Sequence, residues 1–567
     1  MGEIFALTAG DAMSSLYQRA LSLLQEEPVN ERQLAYPTVA GIPTILQERG
    51  EEDRKDVMRK KQAHVAAVAR ASGWSQERAK REMDAAAEKG VPYHIYRKNK
   101  CWDWSTLEIE RLGAYRRERE REFINEVREQ SGCTEKQARL FMKQADASRL
   151  KRESYLHYRG WSLSKEELEE LATALKLRRE RKRADEQRYI DAVCYWTKEQ
   201  KATVFEHMNM AKGMGIPFNR YVQFACWTRT PEELEQLASW LEGHSQQNRK
   251  RKETYVASVR QETGWSEGRV HLEALKAQAA YGASYEDYFG FKLHRYPLEK
   301  QGEFVTLQDW NLLKARVNNN ASVLALLNDK PHFNELFDHM INHVWFVNRN
   351  VTMEDFLEKI EGLDAILVKP VASLQGQGIT KHACNQSEEE NRALYAEIME
   401  RERSIIEGCI EQHPDMASFC PQSVNTVRVT TLQDGETYRL LYAILRMGTG
   451  SPVDNFHAGG IAAGIDTLTG AVETVAIDLR GNAYAEHPVT GRNIRGFQVP
   501  HWERVLEASE EAAGLLPDIG LVGWDFAITP DGVDLIEGNG GSGYVAVQMI
   551  YAMEGKGLRK QLLGPWD

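Results

Sequence analysis

A lysine at the end of an apolar run lies close to a glycine-rich segment. The run from Ala365 to Lys369 is apolar up to its last residue, and Ser373–Gly378 follows it. Glycines let backbone N–H groups approach phosphate oxygens, and the ammonium group adds positive charge. The segment has neither the spacing of a Walker A loop nor the setting of a dinucleotide fingerprint. It therefore predicts a strand and loop that bind a polyphosphate in another way.

Two acidic residues and an asparagine lie in apolar surroundings near the C-terminus. Asp525 stands inside one apolar run, and Glu537 and Asn539 end the next. The residues Pro530–Gly532 between the runs predict a β-hairpin with the two acids on neighbouring strands. Unpaired carboxylates among apolar residues are costly, and hard oxygen ligands suit Mg²⁺ that bridges nucleotide phosphates. We interpret these residues as metal ligands rather than as solvent-facing acids beside a turn.

The elements that position these residues begin near residue 300. From there the sequence consists of short β-rich runs separated by Gly, Asn and Asp, which predicts an α+β domain over residues 301–567. Residues 1–58 contain a mildly helical stretch and a loop with two prolines, and we assign them no function.

A pattern that recurs four times predicts an all-α array of helical repeats over residues 59–300, with units of 59–69 residues. Each unit starts at a helix N-cap candidate, and the four candidates are Ser75, Thr134, Thr197 and Ser266. Two aromatic residues three positions apart and another aromatic residue follow in each unit. A second N-cap and a long charge-rich helix come next in three units, at Ser105, Ser164 and Thr230. The pattern indicates stacked helices with buried aromatic side chains.

The repeats carry no chemistry of their own, so we expect them to recognise a ligand or to hold the C-terminal domain. Residues 1–300 contain 52 Lys and Arg against 46 Asp and Glu, whereas residues 301–567 contain 20 against 37. The Arg-rich run Arg178–Arg183 belongs to the basic part. We interpret this run as a solvated helix face, with an anion-binding face for an acceptor as the alternative.

Composition limits the class of protein. The chain has 567 residues, of which 42% are hydrophobic and 27% charged, which is typical of a globular protein with several domains. Its seven cysteines form no CxxC pair, so we expect reduced thiols rather than disulfides or a zinc site. No stretch approaches the roughly 20 apolar residues of a membrane span, and no secretory signal is evident. We expect a cytoplasmic protein, and nucleic acid is not the expected partner.

The order of the motifs resembles the ATP-grasp superfamily. The motifs are Lys330, Val368-Lys369-Pro370 with its glycine loop, Ile405-Ile406-Glu407, Asn425-Thr426-Val427-Arg428, Trp524-Asp525 and Ile536-Glu537-Gly538-Asn539. Residues 423–428, 454–460, 487–488 and 523–525 resemble more narrowly the sugar-transfer-associated ATP-grasp proteins. The resemblance spans about residues 305–550 and excludes the repeats. It implies the ATP-grasp fold, in which two α+β lobes clasp ATP.

The resemblance implies a role for each matching residue. Contacts to ATP are implied for Lys330, Lys369, Ser373, Gly376, Gly378, Glu407, Ile410 and Arg428. The magnesium ligands are implied to be Asp525, Glu537 and Asn539. Arg428 and Lys369 are expected to act on the transferring phosphoryl group. His457 could deprotonate an amine or orient a carboxylate, with a structural histidine as the alternative.

The implied reaction joins a carboxylate to an amine through an acyl phosphate, with ATP and Mg²⁺ as cofactors. An amino acid or related acid attached to a glycan or small secondary product is one expected outcome. Two alternatives stay open. One is a kinase of a sugar or small acceptor that uses the same nucleotide site. The other is a binding module in which the repeats recruit a partner and the nucleotide site is structural.

Overall fold

The computed structural model describes residues 50–564, except for residues 225, 319–320, 350, 372–377, 385–386, 435–436, 451–453 and 457–458. These residues form two compact units, one of residues 50–172 and 266–269 and the other of residues 173–265 and 270–564. The predicted domain boundaries after residues 58 and 300 stay predictions. Within the described part of the chain, no helix is long and apolar enough to span a membrane. All seven cysteines are free thiols, as expected.

Residues 50–295 contain the same order of elements four times: a long helix, a medium helix, a short helix and a 3₁₀ turn. The first set is α1 (Gly50–Ser72), α2 (Gln76–Glu88), α3 (Tyr93–Lys98) and the turn Cys101–Asp103. The second set is α4 (Thr106–Ser131), α5 (Glu135–Ala147), α6 (Arg152–His157) and the turn Gly160–Ser162. The third set is α7 (Lys165–Thr197), α8 (Lys201–Gly213), α9 (Phe218–Gln223) and the turn Cys226–Thr228. The fourth set is α10 (Pro231–Thr263), α11 (Glu267–Tyr281), α12 (Tyr285–Gly290) and the turn Leu293–Arg295.

Most of the predicted helix caps are confirmed. Side-chain oxygens accept hydrogen bonds from the backbone N–H group three residues later at Ser75, Ser105, Thr134, Ser164, Thr230 and Ser266. The prediction that Thr197 begins a helix is wrong, because Thr197 is the last residue of α7 and Gln200 is the N-cap of α8. The Thr197 hydroxyl donates to the Val193 carbonyl and accepts from the Glu199 N–H group. Ser72, Ser131 and Thr263 end their helices in the same way.

A tyrosine at the same position of the short helix is buried in each of the four sets. Tyr96, Tyr155, Tyr221 and Tyr288 each follow the start of the short helix by three residues and are at most 2% exposed. Such aromatic side chains contribute large buried areas. Their burial agrees with the packing interpretation of the aromatic pattern. That the four sets are copies of one sequence unit stays a prediction.

The C-terminal region is α+β, as predicted. Its elements in chain order are α13 (Leu298–Gln301), α14 (Leu307–Val317), α15 (Ala321–Asn328), α16 (Lys330–Leu336), the 3₁₀ turn Asp338–Met340, β1 (Trp345–Val347), α17 (Met353–Ile360), β2 (Ala365–Pro370), β3 (Thr380–Ala383), α18 (Glu388–Glu400), β4 (Ser404–Gly408), α19 (Pro414–Ala417), β5 (Thr426–Asp434), β6 (Thr437–Met447), β7 (Ile461–Ile465), β8 (Ala476–Ile477), β9 (Ala483–Tyr484), α20 (Trp502–Gly514), β10 (Leu521–Thr529), β11 (Gly532–Asn539), α21 (Val545–Ala552) and α22 (Arg559–Leu563).

The strands form two antiparallel sheets. The small sheet has the order β1-β4-β2-β3, and the large sheet has the order β11-β10-β5-β6-β7-β8-β9. The small sheet packs on α17 and α18 through a core that includes Phe356, Val368 and Ile398. The predicted hairpin is confirmed as β10 and β11, and its register places Asp525 opposite Glu537.

The fourth helical set and the C-terminal region share one hydrophobic core. Tyr288 and Phe291 belong to the same cluster of buried side chains as Trp310, Tyr544 and Val547. This core also contains a polar contact, in which the Tyr544 hydroxyl donates a hydrogen bond to the buried Asp287 carboxylate. The helices just before residue 300 are therefore part of the body that carries the two sheets.

Candidate active site

The small sheet brings a lysine and a glutamate together on one face. β2 and β4 pair with Lys369 opposite Ile405 and Leu367 opposite Glu407, so Lys369 and Glu407 are diagonal neighbours. Their side chains form an ion pair and are at most 12% exposed. Burial opposes the charge of Glu407, but Lys369, His343 and Lys330 hold its pKa below the usual value.

Lys330 adds a second cation to this face. It is the first residue of α16, directly after the N-cap residue Asp329. Burial lowers the pKa of Lys330, and the neighbouring Lys369 lowers it further, against the opposing effect of Glu407 and Glu537. Both ammonium groups thus lie near the Glu407 carboxylate, and Lys369 disfavours the charge of Lys330. An anionic group such as a phosphate would relieve this repulsion.

The large sheet contributes an arginine bound to a buried aspartate. Arg428 on β5 is the register partner of Asp525 on β10. Its guanidinium binds both carboxylate oxygens of Asp525, with 2.6 Å from Nη2 to Oδ2, and Nη2 lies 3.6 Å from Oε1 of Glu537. Arg446 on β6 approaches the same aspartate, with 3.2 Å from Nη1 to Oδ2. Burial opposes the charge of Asp525, but Arg428 and Arg446 lower its pKa well below the usual range.

Glu537 is the more accessible carboxylate of the hairpin. Its side chain is 44% exposed, whereas that of Asp525 is 1% exposed. The Asn539 amide donates to Glu537 Oε1 over 2.9 Å. The surrounding cleft and the adjacent Asp525 raise the pKa of Glu537. Because Asp525 destabilises the charge of Glu537, a cation beside Glu537 would be favourable.

The donor set of the hairpin fits a hard divalent cation in its chemistry. Within the described residues, no group of three or more His, Cys, Asp and Glu side chains could hold a metal ion. The predicted ligands are two carboxylates and one amide, which suit a partly hydrated Mg²⁺. Both oxygens of Asp525 are already bound by arginines. Glu537 is therefore the open ligand, and Asp525 would join only if the arginines shifted.

The residues after Asn539 form a glycine-rich turn that several side chains hold in place. Trp310 Nε1 donates to the Ser542 carbonyl over 2.7 Å, and the Tyr442 hydroxyl donates to the Gly543 carbonyl over 2.7 Å. A Cβ atom on Gly541 would lie 3.9 Å from Lys314 Nζ. Burial lowers the pKa of Lys314, and within the described residues no hydrogen bond or ion pair involves its ammonium group. This turn thus has a nearby cation that pairs with no other described residue.

The remaining predicted site residues divide into two groups. Ser373, Gly376 and His457 lie outside the described residues. Gly378 adopts a left-handed conformation with φ +75°, and an added Cβ would lie 3.1 Å from Pro370 Cγ. Ile410 is half-buried and follows the last residue of β4 by two positions.

The structure adds site residues that the sequence reasoning missed. His343 lies between the two sheets, with its Nδ1 2.8 Å from Asp534 on β11 and its Nε2 3.9 Å from Glu407 on β4. Arg446 and Lys314 were missed as well. Both carried a signal, because Arg446 interrupts an apolar strand and Lys314 stands one helical turn after Trp310 on an apolar face.

The family-model match concerns only the C-terminal part. Residues 312–563 match the model of the family described as sugar-transfer associated ATP-grasp. A comparison with curated proteins finds no match.

Solved structures resemble the chain weakly. One is a D-alanine–D-alanine ligase from Coxiella burnetii, with 10% identity, TM-score 0.24 and coverage of 40% of this chain and 49% of that one. Another is the Bacillus anthracis D-alanine–D-alanine ligase complexed with ATP, with 12% identity, TM-score 0.24 and coverage of 44% and 64%. A third is a Staphylococcus aureus N5-carboxyaminoimidazole synthetase complexed with ADP, with 13% identity, TM-score 0.25 and coverage of 43% and 49%. The chain spans less than two thirds of the length of these three.

Proposed function

We propose that the protein is an ATP-dependent carboxylate–amine ligase, because residues 312–563 match the family model described as sugar-transfer associated ATP-grasp. The proposal rests on one observation, namely that two sets of charged side chains lie near each other. Lys330 and Lys369 stand beside the small sheet, and Arg428 and Glu537 stand on the large sheet. Lys330 lies close enough to Glu537 for the two charges to interact. One polyphosphate and its metal ion could contact both sets.

In this proposal, Lys330 and Lys369 bind the phosphate groups of ATP. Lys369 would exchange part of its contact with Glu407 for a phosphate oxygen, and Glu407 would keep the ammonium group in place before ATP arrives. The adenine would pair with the backbone after β4. The N–H groups of Gly408 and Cys409 already donate to carbonyls of neighbouring segments, so the free backbone for this contact begins at Ile410.

The proposed reaction has two steps. A carboxylate oxygen of the substrate attacks the γ-phosphorus of ATP, and ADP leaves, which gives an acyl phosphate. The nitrogen of an amine then attacks the acyl carbon, loses a proton, and displaces inorganic phosphate. The chemistry requires positioning and charge stabilisation rather than a protein nucleophile.

The residues of the large sheet would stabilise the charge that moves in these steps. Arg428 stands between Asp525 and Glu537 and would contact the transferring phosphoryl group. Glu537 and Asn539 would hold Mg²⁺, which supplies positive charge to the phosphate oxygens when bound, and Asp525 would join them only if the arginines shifted. While it is bound to Arg428, Asp525 keeps this arginine oriented, since both of its carboxylate oxygens accept from the guanidinium. His457 as the base for the amine stays a prediction.

The acceptor would bind beside the glycine-rich turn. The turn follows the proposed metal ligands directly, and Lys314 supplies a cation without a partner among the described residues. We propose that Lys314 pairs with a carboxylate or another anionic group of a substrate. A glycan or a small secondary product as the acceptor, Mg²⁺ as the metal and the cytoplasm as the location are parts of this proposal.

Nucleotide binding by a lysine variant tests the proposal. Lys369→Met should weaken AMP-PNP binding in the presence of Mg²⁺ by about 10-fold or more, because a charged contact to phosphate is lost. Lys381→Met is the matched control, since Lys381 is an exposed lysine on β3 of the same sheet. Isothermal titration calorimetry on the full chain measures both. Equal affinities for the two variants and the wild type would overturn the proposed nucleotide site.

A further inference from the structure

A second cavity lies in the compact unit that contains the two sheets, apart from the candidate active site. Its volume is about 300 Å³. The walls come from α7, from the segment between α8 and α9, from the end of α11 and from the start of α14. Small-molecule sites in proteins begin at about this volume.

Several buried donors at this cavity have no hydrogen-bond partner among the described residues. Asn311 on α14 is 4% exposed, and its Nδ2 has no partner in the described part of the chain. Arg181 on α7 donates from Nη1 to the Ala280 carbonyl over 2.6 Å, but its Nε is unpaired. The nearest acid, Asp185, lies 3.8 Å from this Nε, which is too far for a hydrogen bond. Leaving a buried donor unsatisfied costs free energy, so a ligand that supplies acceptor oxygens would be favoured.

The charges of the lining residues favour an anion. Four cations line the cavity against two acids, and they are Arg178, Arg181, Lys182 and Lys212 against Asp185 and Glu186. Lys212 and Glu186 form an ion pair of 3.0 Å. Lys182 is exposed and takes part in no ion pair within the described residues. The formal charge of the lining is thus positive.

A glycine lets the backbone pass close to the arginine. Gly282 has a φ of +77°, which favours glycine, and a Cβ atom there would collide with the Gln308 side chain. The same Cβ atom would lie 3.1 Å from Arg181 Nη2. The Gly282 backbone thus lies close to the guanidinium, whose Nε has no hydrogen-bond partner in the described part of the chain.

We propose that this cavity is a binding site for a small ligand with an oxyanion group, either a carboxylate or a phosphate. Arg181 Nε and Asn311 Nδ2 donate to its oxygens, and Lys182 adds charge at the mouth. The site is distinct from the proposed ATP site and does not depend on the ligase activity. It gives the Arg-rich run of α7 a function at Arg181 and Lys182.

Two probes and four proteins test the proposal. Phenyl phosphate and benzoate are titrated by ligand-observed NMR into the full chain with saturating AMP-PNP and Mg²⁺, and benzyl alcohol is the neutral control. At least one anionic probe should bind, and the tighter of the two identifies the class of oxyanion. Arg181→Gln and Lys182→Ala should each weaken that probe by about 10-fold or more, because a charge-assisted contact is lost. Arg183→Ala, an exposed residue of the same helix that does not line the cavity, should change binding by less than about 2-fold.

The following outcomes would overturn the proposed anion site. No binding of either anionic probe up to about 10 mM would overturn it. Binding that Lys182→Ala leaves unchanged would overturn it too, and since Lys182 is exposed this variant should fold.

Asn311→Leu separates binding from structure. The variant removes an unpaired donor at nearly constant volume, so the melting temperature of the ligand-free protein should stay equal or rise while probe binding is lost. A lower melting temperature together with unchanged probe binding would assign Asn311 a structural role and contradict the proposal.

Discussion

Replacing Glu537 by Gln removes one charge from the hairpin while it keeps the shape of the side chain. In the folded protein, the surrounding cleft and Asp525 raise the pKa of Glu537. A raised pKa means that folding favours the protonated carboxyl group. Its contribution to stability is present at pH values below the unfolded pKa of roughly 4.3 and is lost as the pH rises through the folded pKa. At neutral pH the ligand-free E537Q protein should therefore be as stable as the wild type or more stable.

The same substitution should damage nucleotide binding. Glu537 is the accessible carboxylate of the proposed metal site, and its loss removes one charge-assisted contact to Mg²⁺–ADP. Such contacts contribute about 1.5–3 kcal/mol, which corresponds to roughly a 10- to 100-fold rise in Kd. Without Mg²⁺ the effect should be much smaller, because the substituted group then has no cation to bind.

The assay combines calorimetry of ADP binding with melting curves across the acidic range. Asp531→Asn, an exposed acid in the turn of the same hairpin, is the matched control. The raised pKa of Glu537 predicts that E537Q melts at a higher temperature than the wild type by a margin that grows as the pH rises, and the proposed metal site predicts weaker Mg²⁺–ADP binding. A variant that melts earlier at neutral pH would contradict the raised pKa, and one that binds Mg²⁺–ADP like the wild type would contradict the metal site.

Three further predictions concern other parts of the chain. Tyr155→Ala should lower the free energy of unfolding by about 3–5 kcal/mol in chemical denaturation, whereas Tyr115→Ala, at a side chain that is 60% exposed, should change it by less than about 0.5 kcal/mol. A fragment of residues 301–567 should lack a cooperative melting transition and bind a hydrophobic dye. The reason is that it lacks Tyr288 and Phe291, which complete its hydrophobic core in the full chain. A sharp transition at the wild-type temperature would contradict the shared core. Lys314→Met should raise the KM of the anionic substrate by about 10-fold or more and leave AMP-PNP affinity unchanged, and the opposite pattern would move Lys314 to the nucleotide site.

Local patterns in the sequence predicted much of the fold. The hairpin of β10 and β11 was predictable because a Pro-Asp-Gly turn joins two apolar runs. The register shift between Asp525 and Phe526, which places Asp525 opposite Glu537, does not follow from that turn. The long helices were predictable from cap residues such as Ser105 and Thr230, which bind their own helix termini. Thr197 was misjudged because a threonine hydroxyl can bond either forward to a new helix or back to the previous turn, and the sequence alone does not distinguish these.

Long-range contacts explain what the sequence did not predict. The position of His343 between Asp534 and Glu407 depends on how the two sheets meet, and no local spacing encodes it. The sequence predicted that Asp525 binds a metal ion, whereas in the structure two arginines neutralise its charge. The core shared by Tyr288 and Tyr544 joins segments that are 256 residues apart, and no local pattern near residue 300 encodes this contact.

Activation of a carboxylate by ATP transfers a carboxylate oxygen to phosphate, and this oxygen can be followed with an isotope. The full chain is incubated with ATP, Mg²⁺, a panel of ¹⁸O-labelled carboxylic acids and hydroxylamine as the nucleophile, and the products are analysed by mass spectrometry. If the protein forms an acyl phosphate, one acid should yield ADP, a hydroxamate and inorganic phosphate that carries one ¹⁸O atom from the carboxylate. ADP formed without labelled phosphate, with the phosphoryl group left on a hydroxyl of an acceptor, would contradict the ligase proposal and identify a kinase.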